Sequence, residues 1–181
     1  ILAIGDFHGS FPKKFEKIIA KEKIDLIVSV GDFMPFSYRK EWFKHCYGKE
    51  TELWEIIGKK KYKDYILKDL KQGEAVLKKL NKIGETIPIV TVTGNLDYTK
   101  WEDAIDSSPM KWKWLEQDFF TKIIKKYQNI KVLDYSSIKI NDWVFIGMAR
   151  STFPGQVKSK NYKKLRKKLD RLFKKYKNKN I

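Results

Sequence analysis

Cysteine is nearly absent from this sequence: Cys46 is the single one in 181 residues. One thiol excludes an intrachain disulfide and points to a reducing, cytoplasmic setting. Long apolar runs are lacking too. The longest are strand-sized, well short of the roughly 18 residues needed to span a bilayer, so no membrane is expected as a partner. Five prolines and ten glycines are few, with no Pro- or Ser-rich linker and no internal repeat, which leaves a single domain over 1–181. Histidine is scarce, with only His8 and His45. Apolar residues, by contrast, make up 42% of the chain, with 6 Trp, 9 Tyr and 11 Phe, which excludes disorder and supplies a sizeable core.

The formal charge of +17 is unevenly spread. From Gln156 to Ile181 twelve Lys or Arg meet one acid, Asp170, so this stretch carries +11. Tyr162, Leu165, Leu169, Leu172, Phe173 and Tyr176 recur there at helical spacing and predict a basic amphipathic helix at about 160–177. Two readings stand: a solvated surface helix, or a contact for a polyanion such as nucleic acid. The lysine-rich composition also fits a heat-loving organism, in which a basic surface needs no polyanion partner.

Four apolar runs, Ile1–Ile4, Leu26–Val30, Ile89–Thr93 and Trp143–Ile146, predict strands buried on both faces. Lys131–Tyr135 and Ser137–Ile140 are expected to add a hairpin edge. Helices are predicted around Phe15, Ile18 and Ile19 after Pro12, from Leu67 to Ile83, and from Leu115 to Tyr127. Strand and helix alternate as in an α/β fold. The stretch at about 38–73, Tyr38 to Gly73, breaks that rhythm and reads as an aromatic, basic helical insertion near the mouth of the site. It is either a packed helical hairpin or a substrate-shaping lid.

Chemistry is concentrated where strands stop. The first ends in Gly5-Asp6-Phe7-His8-Gly9, the second in Gly31-Asp32, and the third in Gly94-Asn95-Leu96-Asp97. A lone polar residue at a strand end can simply cap the next helix. Three strands that each finish in glycine and then an oxygen donor do not fit three unrelated caps. The carboxyl ends of adjacent parallel strands form the crevice in which α/β sheets hold ligands. Asp6 and His8 would hold one ion, Asp32 would bridge to a second, and Asn95 would offer that second ion a neutral carbonyl oxygen. Mixed oxygen and nitrogen donors suit two divalent ions of the Mn, Fe, Zn or Ni type better than Ca, with Mn favoured. Two such ions would polarise a phosphoryl group and make hydroxide at neutral pH.

Taken in order, each after a buried strand, these motifs resemble the calcineurin-like metallophosphoesterase superfamily, whose pattern is D-x-H-G, then G-D, then G-N-H-D/E, then two later histidine blocks. The resemblance covers roughly residues 1–150. It implies a two-layer β-sandwich flanked by helices, four layers α/β/β/α, and hydrolysis of a phosphoester by metal-activated hydroxide at a dinuclear site. By that resemblance Asp6, His8 and Asp32 bind the first ion, Asp32 and Asn95 the second, and Asp32, Asn95 and Asp97 carry catalysis.

Two departures from the pattern shape the expectation. Leu96 stands where many members carry a histidine that protonates the leaving group, help often worth about 10²–10⁴-fold. Its loss favours substrates with good leaving groups, a phosphodiester or nucleotide-type ester. Asp97, the usual partner of that histidine, either orients another group or caps the turn. The second departure is that no histidine follows His45. The missing ligands are expected on a strand beyond Ile181, and further residues are expected upstream, because the chain opens inside a strand without Met. Should the ligands be lost altogether, the alternatives are a degenerate scaffold, or a nuclease or nucleic-acid-binding protein using its basic surface. His45 beside Cys46 is a poor metal site, and Arg150 is either a phosphate contact or a structural ion pair.

Overall fold

The computed structural model describes residues 1–97, 112–149 and 160–180. Four parallel strands form the main sheet in the order β1 (Leu2–Ile4), β2 (Ile27–Ser29), β3 (Ile89–Thr91) and β4 (Ile130–Val132). Their register sets Leu2 beside Ile27, Ile27 beside Ile89, and Ile89 beside Ile130. Because side chains alternate across a strand, this row faces one side and Val28 and Val90 face the other.

Each face is buried by a different layer. On the first, the isoleucines join a core built with α1 (Lys13–Lys21), α4 (Lys59–Ile83) and α5 (Phe119–Ile124), where Ile66, Leu77, Leu80 and Phe120 are almost wholly buried. On the second, Leu26, Val90 and Leu133 pack against Ile138, Ile140 and Phe145 of an antiparallel pair, β5 (Ser137–Ile140) and β6 (Trp143–Ile146). Beyond that pair lies α6 (Lys160–Tyr176), which packs on β6. A parallel sheet flanked by helices, with a second sheet on its other face, is therefore the architecture, as the near-continuous hydrophobicity of its strands requires.

Three sequence expectations change. Lys131–Tyr135 does not form a hairpin with Ser137–Ile140. Its strand, β4, joins β3 at the edge of the main sheet, and Thr93 binds it there by donating from N–H and Oγ1 to the Asp134 carboxylate at 2.8 and 2.7 Å. The hairpin is β5 with β6, closed by Asn141-Asp142, where Asn141 adopts the positive φ of 53° that two-residue hairpin loops demand. The helix expected from Leu115 to Tyr127 is split into a 3₁₀ turn, Lys113–Glu116, and α5. Asp118 is the reason: its carboxylate accepts from the Thr121 N–H at 2.9 Å, and this cap prevails over the apolar period.

The third change concerns the insertion. It contains α2 (Arg39–His45) and α3 (Leu53–Ile57), but Gly73 is no boundary, because α4 runs through it. Ile66, Leu70, Gly73, Leu77 and Leu80 form one buried stripe at helical spacing, so the glycine lies on the face that packs inward. The insertion's aromatics pack on one another and on neighbouring rings: Tyr38 meets Tyr62 and Tyr65 as well as Phe36, edge-on or tilted, and Trp54 meets Trp112.

Candidate metal centre

The main-sheet pairing does not stop where β1 and β2 end. Asp6 N–H donates to the Gly31 carbonyl at 3.1 Å, His8 N–H to that of Asp32 at 3.0 Å, and Gly9 N–H to that of Phe33 at 2.8 Å. The two loops are thus zipped together past the sheet, and the side chains they carry meet. Ligating atoms of Asp6, His8 and Asp32 all lie within 4.8 Å of one another. That separation is of the order of twice a metal–ligand bond of about 2.2 Å.

Two phenylalanines orient the motif. Phe7, between Asp6 and His8, is buried, and so is Phe33 after Asp32. Their rings stack at 5.3 Å, with Phe11 on one side and Phe120 on the other. With Phe7 turned inward, its neighbours Asp6 and His8 are left exposed while Asp32 is buried. The repeated Gly-Asp-Phe of residues 5–7 and 31–33 carried this signal in the sequence.

Backbone strain marks the same residues. Among the described residues, five that are not glycine have positive φ, and three of them are Asp6 (52°), His8 (45°) and Asp32 (54°). Such conformations cost about 1–3 kcal/mol each and concentrate at functional sites. They hold because the loops are pinned from several directions. Gly31, at φ 84°, has no room for a side chain, since a Cβ would press on the backbone of Gly94 and on the Val92 carbonyl. Gly94 in turn lies against Asp32, whose carboxylate occupies the space a Cβ would fill.

Asp97 does most of the pinning. Its buried carboxylate accepts from four backbone N–H groups: Gly94 at 2.8 Å, Phe33 at 2.9 Å, Asp32 at 3.2 Å and Met34 at 3.3 Å. The side chain faces inward and ties its own turn, through Gly94, to the loop of residues 32–34. Burial, with the Asp32 charge adding, pushes its pKa up to about 7 against the N–H donors that pull it down. Asp32 is also raised, chiefly by burial and then by Asp6, while the Leu96 N–H, donating at 2.9 Å, opposes this. Asn95 is exposed, and its backbone also bonds to the Asp32 carboxylate, so it belongs to the same loop cluster. Leu96 serves the site through that N–H, not its side chain.

A further acid was not legible as part of this framework. Asp69 on α4 is fully buried; its Oδ2 accepts the Ser37 N–H at 3.2 Å, closing the far end of the loop that begins at Asp32, and its Oδ1 has no partner. Burial raises its pKa. The folded protein therefore holds protons on Asp69 and Asp97 that the unfolded chain releases above about pH 4. The stability these carboxyls contribute is fully present below that pH and is lost as pH rises through their folded values. Asp69→Asn is expected to stabilise the metal-free protein by about 1 kcal/mol at pH 8 and to change little at pH 4, because it keeps an acceptor for Ser37 while removing the buried charge. Urea unfolding at the two pH values measures this; equal effects at both would contradict it.

The donor set fits a divalent cation. The Asp6 and Asp32 carboxylates repel each other beside the His8 imidazole, and a cation relieves that repulsion while accepting oxygen and nitrogen together. His45 and Cys46, the latter buried with its thiol raised by burial, form no ligating cluster of three among the described residues. Arg150 lies outside the described residues.

This geometry agrees with what the chain resembles. The family model for calcineurin-like phosphoesterase matches residues 1–179, and the chain belongs to that family. A solved crystal structure is similar in fold, with a TM-score of 0.55 at 17% identity, over 93% of this chain and 63% of that one. The chain thus spans under two thirds of the length of that solved relative. No curated protein matches it significantly. Among the described residues no helix is long and apolar enough to cross a membrane.

Proposed function

We propose that the protein is a metal-dependent phosphoesterase acting on a phosphodiester or nucleotide-type substrate at a dinuclear site. The convergence of Asp6, His8 and Asp32 at adjacent strand ends carries this reading. Asp6, His8 and Asp32 would hold one ion, and Asp32 with Asn95 the other. Bound there, divalent ions of the Mn type supply Lewis acidity toward the phosphoryl group and activation of water. The chain's own part is to hold the ligands. Leu96 and Asp97 fix the Asp32 loop, and Asn95 adds a neutral oxygen without adding charge to two carboxylates.

Leu96 cannot donate a proton. A leaving group that gains no proton from elsewhere departs as an anion, which favours aryl and other low-pKa esters over alkyl ones. The test uses the full-length protein, stripped by chelator and reconstituted with Mn²⁺, with metal counted and nitrophenyl diester and monoester hydrolysis assayed. About two ions per chain, chelator-sensitive turnover and preference for the diester are expected. No ion and no turnover would leave the fold as a binding scaffold, the fate of degenerate members of such families.

A further inference from the structure

α6 has two opposite faces. At 100° per residue, Leu165, Leu169 and Leu172 cluster on one side, while Lys160, Lys164, Lys167, Arg171 and Lys174 fall within about 80° on the other. Three more lysines flank that row, and all eight cations are exposed. The apolar side is already engaged: α6 packs on β6, where Val144 is 2% exposed, and Leu169 of the helix is 4% exposed. The helix's one acid, Asp170, pairs with Arg166 at the margin of the row, at 3.3 Å. The cationic face therefore has no acid of its own helix set among its charges.

We infer that this face of α6 is a binding surface for the phosphate backbone of nucleic acid. Charge spacing supports the assignment. Eight cations along about 22 Å of helix give one per roughly 3 Å, comparable to one phosphate per 3.4 Å along a strand of DNA. A lipid surface fits less well, because an interfacial helix needs an apolar face to bury, and here β6 occupies it. Phe173, 49% exposed, is the one large apolar side chain that α6 leaves in solvent. The contact is independent of sequence, since lysines on a regular helix face meet phosphates and not base edges.

The surface does not depend on the hydrolytic reading, and the experiment keeps them apart. Anisotropy of a labelled mixed-sequence DNA duplex is titrated with the full-length protein between about 50 and 200 mM salt. A fall in affinity of about 250-fold is expected, a slope of about four on logarithmic axes. Lys164→Glu/Lys167→Glu/Arg171→Glu should weaken binding at least tenfold and reduce the slope by about three. The corresponding triple glutamine variant, checked by circular dichroism, gives the same direction with a smaller effect if the glutamates disturb the helix. Asp32→Asn should bind the duplex as wild type does, whatever its effect on turnover. Absence of binding, binding insensitive to salt or to both triple variants, or tighter binding to phosphatidylglycerol vesicles than to the duplex overturns the assignment.

Discussion

Asp32→Asn is expected to lower kcat/KM for the reconstituted protein by about 10³-fold or more, equivalent to about 4 kcal/mol of transition-state stabilisation. Asp32 is the one residue proposed to serve both ions, so its loss weakens both. An asparagine offers a single neutral oxygen, and that oxygen is already engaged by the Leu96 N–H, which bonds Oδ1 at 2.9 Å. The same substitution should leave the metal-free fold intact or slightly stabilised. It preserves the Leu96 bond and removes a charge whose pKa burial has raised. Calorimetric Mn²⁺ titration beside urea unfolding separates these effects. Retained metal binding and turnover would remove Asp32 from the centre, whereas a large loss of stability would make its role structural.

The second large effect is on stability. Asp97→Ala takes the acceptor from four backbone N–H groups in a buried loop, each costing about 1–3 kcal/mol if nothing replaces it. Partial relaxation and entering water reduce the sum, and a net loss of about 4 kcal/mol is expected, a large part of the stability of an ordinary domain. Because these donors include the N–H of Asp32 itself, Mn²⁺ affinity should fall along with stability. Asp97→Asn keeps one acceptor oxygen but turns an NH₂ group toward donors, so it should recover only part of the loss. Urea unfolding of the metal-free variants measures the first effect and metal titration the second. A loss below about 1 kcal/mol for the alanine would show that the N–H groups have other acceptors.

Much of the architecture was readable because strands buried on both faces have few ways to look in sequence. Ile27, Ile89 and Ile130 must be apolar, and so must Val28 and Val90 beside two of them, because helices cover one side and β5–β6 the other. The pairing of β4 was not readable. Lys131 sits mid-strand with its side chain exposed, so the edge strand alternates and resembles a hairpin arm. The apolar period overextends α5 for a related reason: it continues across Gln117-Asp118, and only the cap geometry shows where the helix restarts.

The sequence by itself determined the candidate ligand types and their order. Asp6, His8, Asp32 and Asn95 follow strands and glycines, and local chemistry dictates that pattern. Only the tertiary structure decided how these side chains are held. The stack of Phe7 on Phe33, the four N–H groups on Asp97 and the reach of Asp69 to Ser37 join residues distant in the chain. No period or motif encodes such contacts. They follow from which buried groups find each other once the sheet has formed, and a buried carboxylate must find donors or remain protonated.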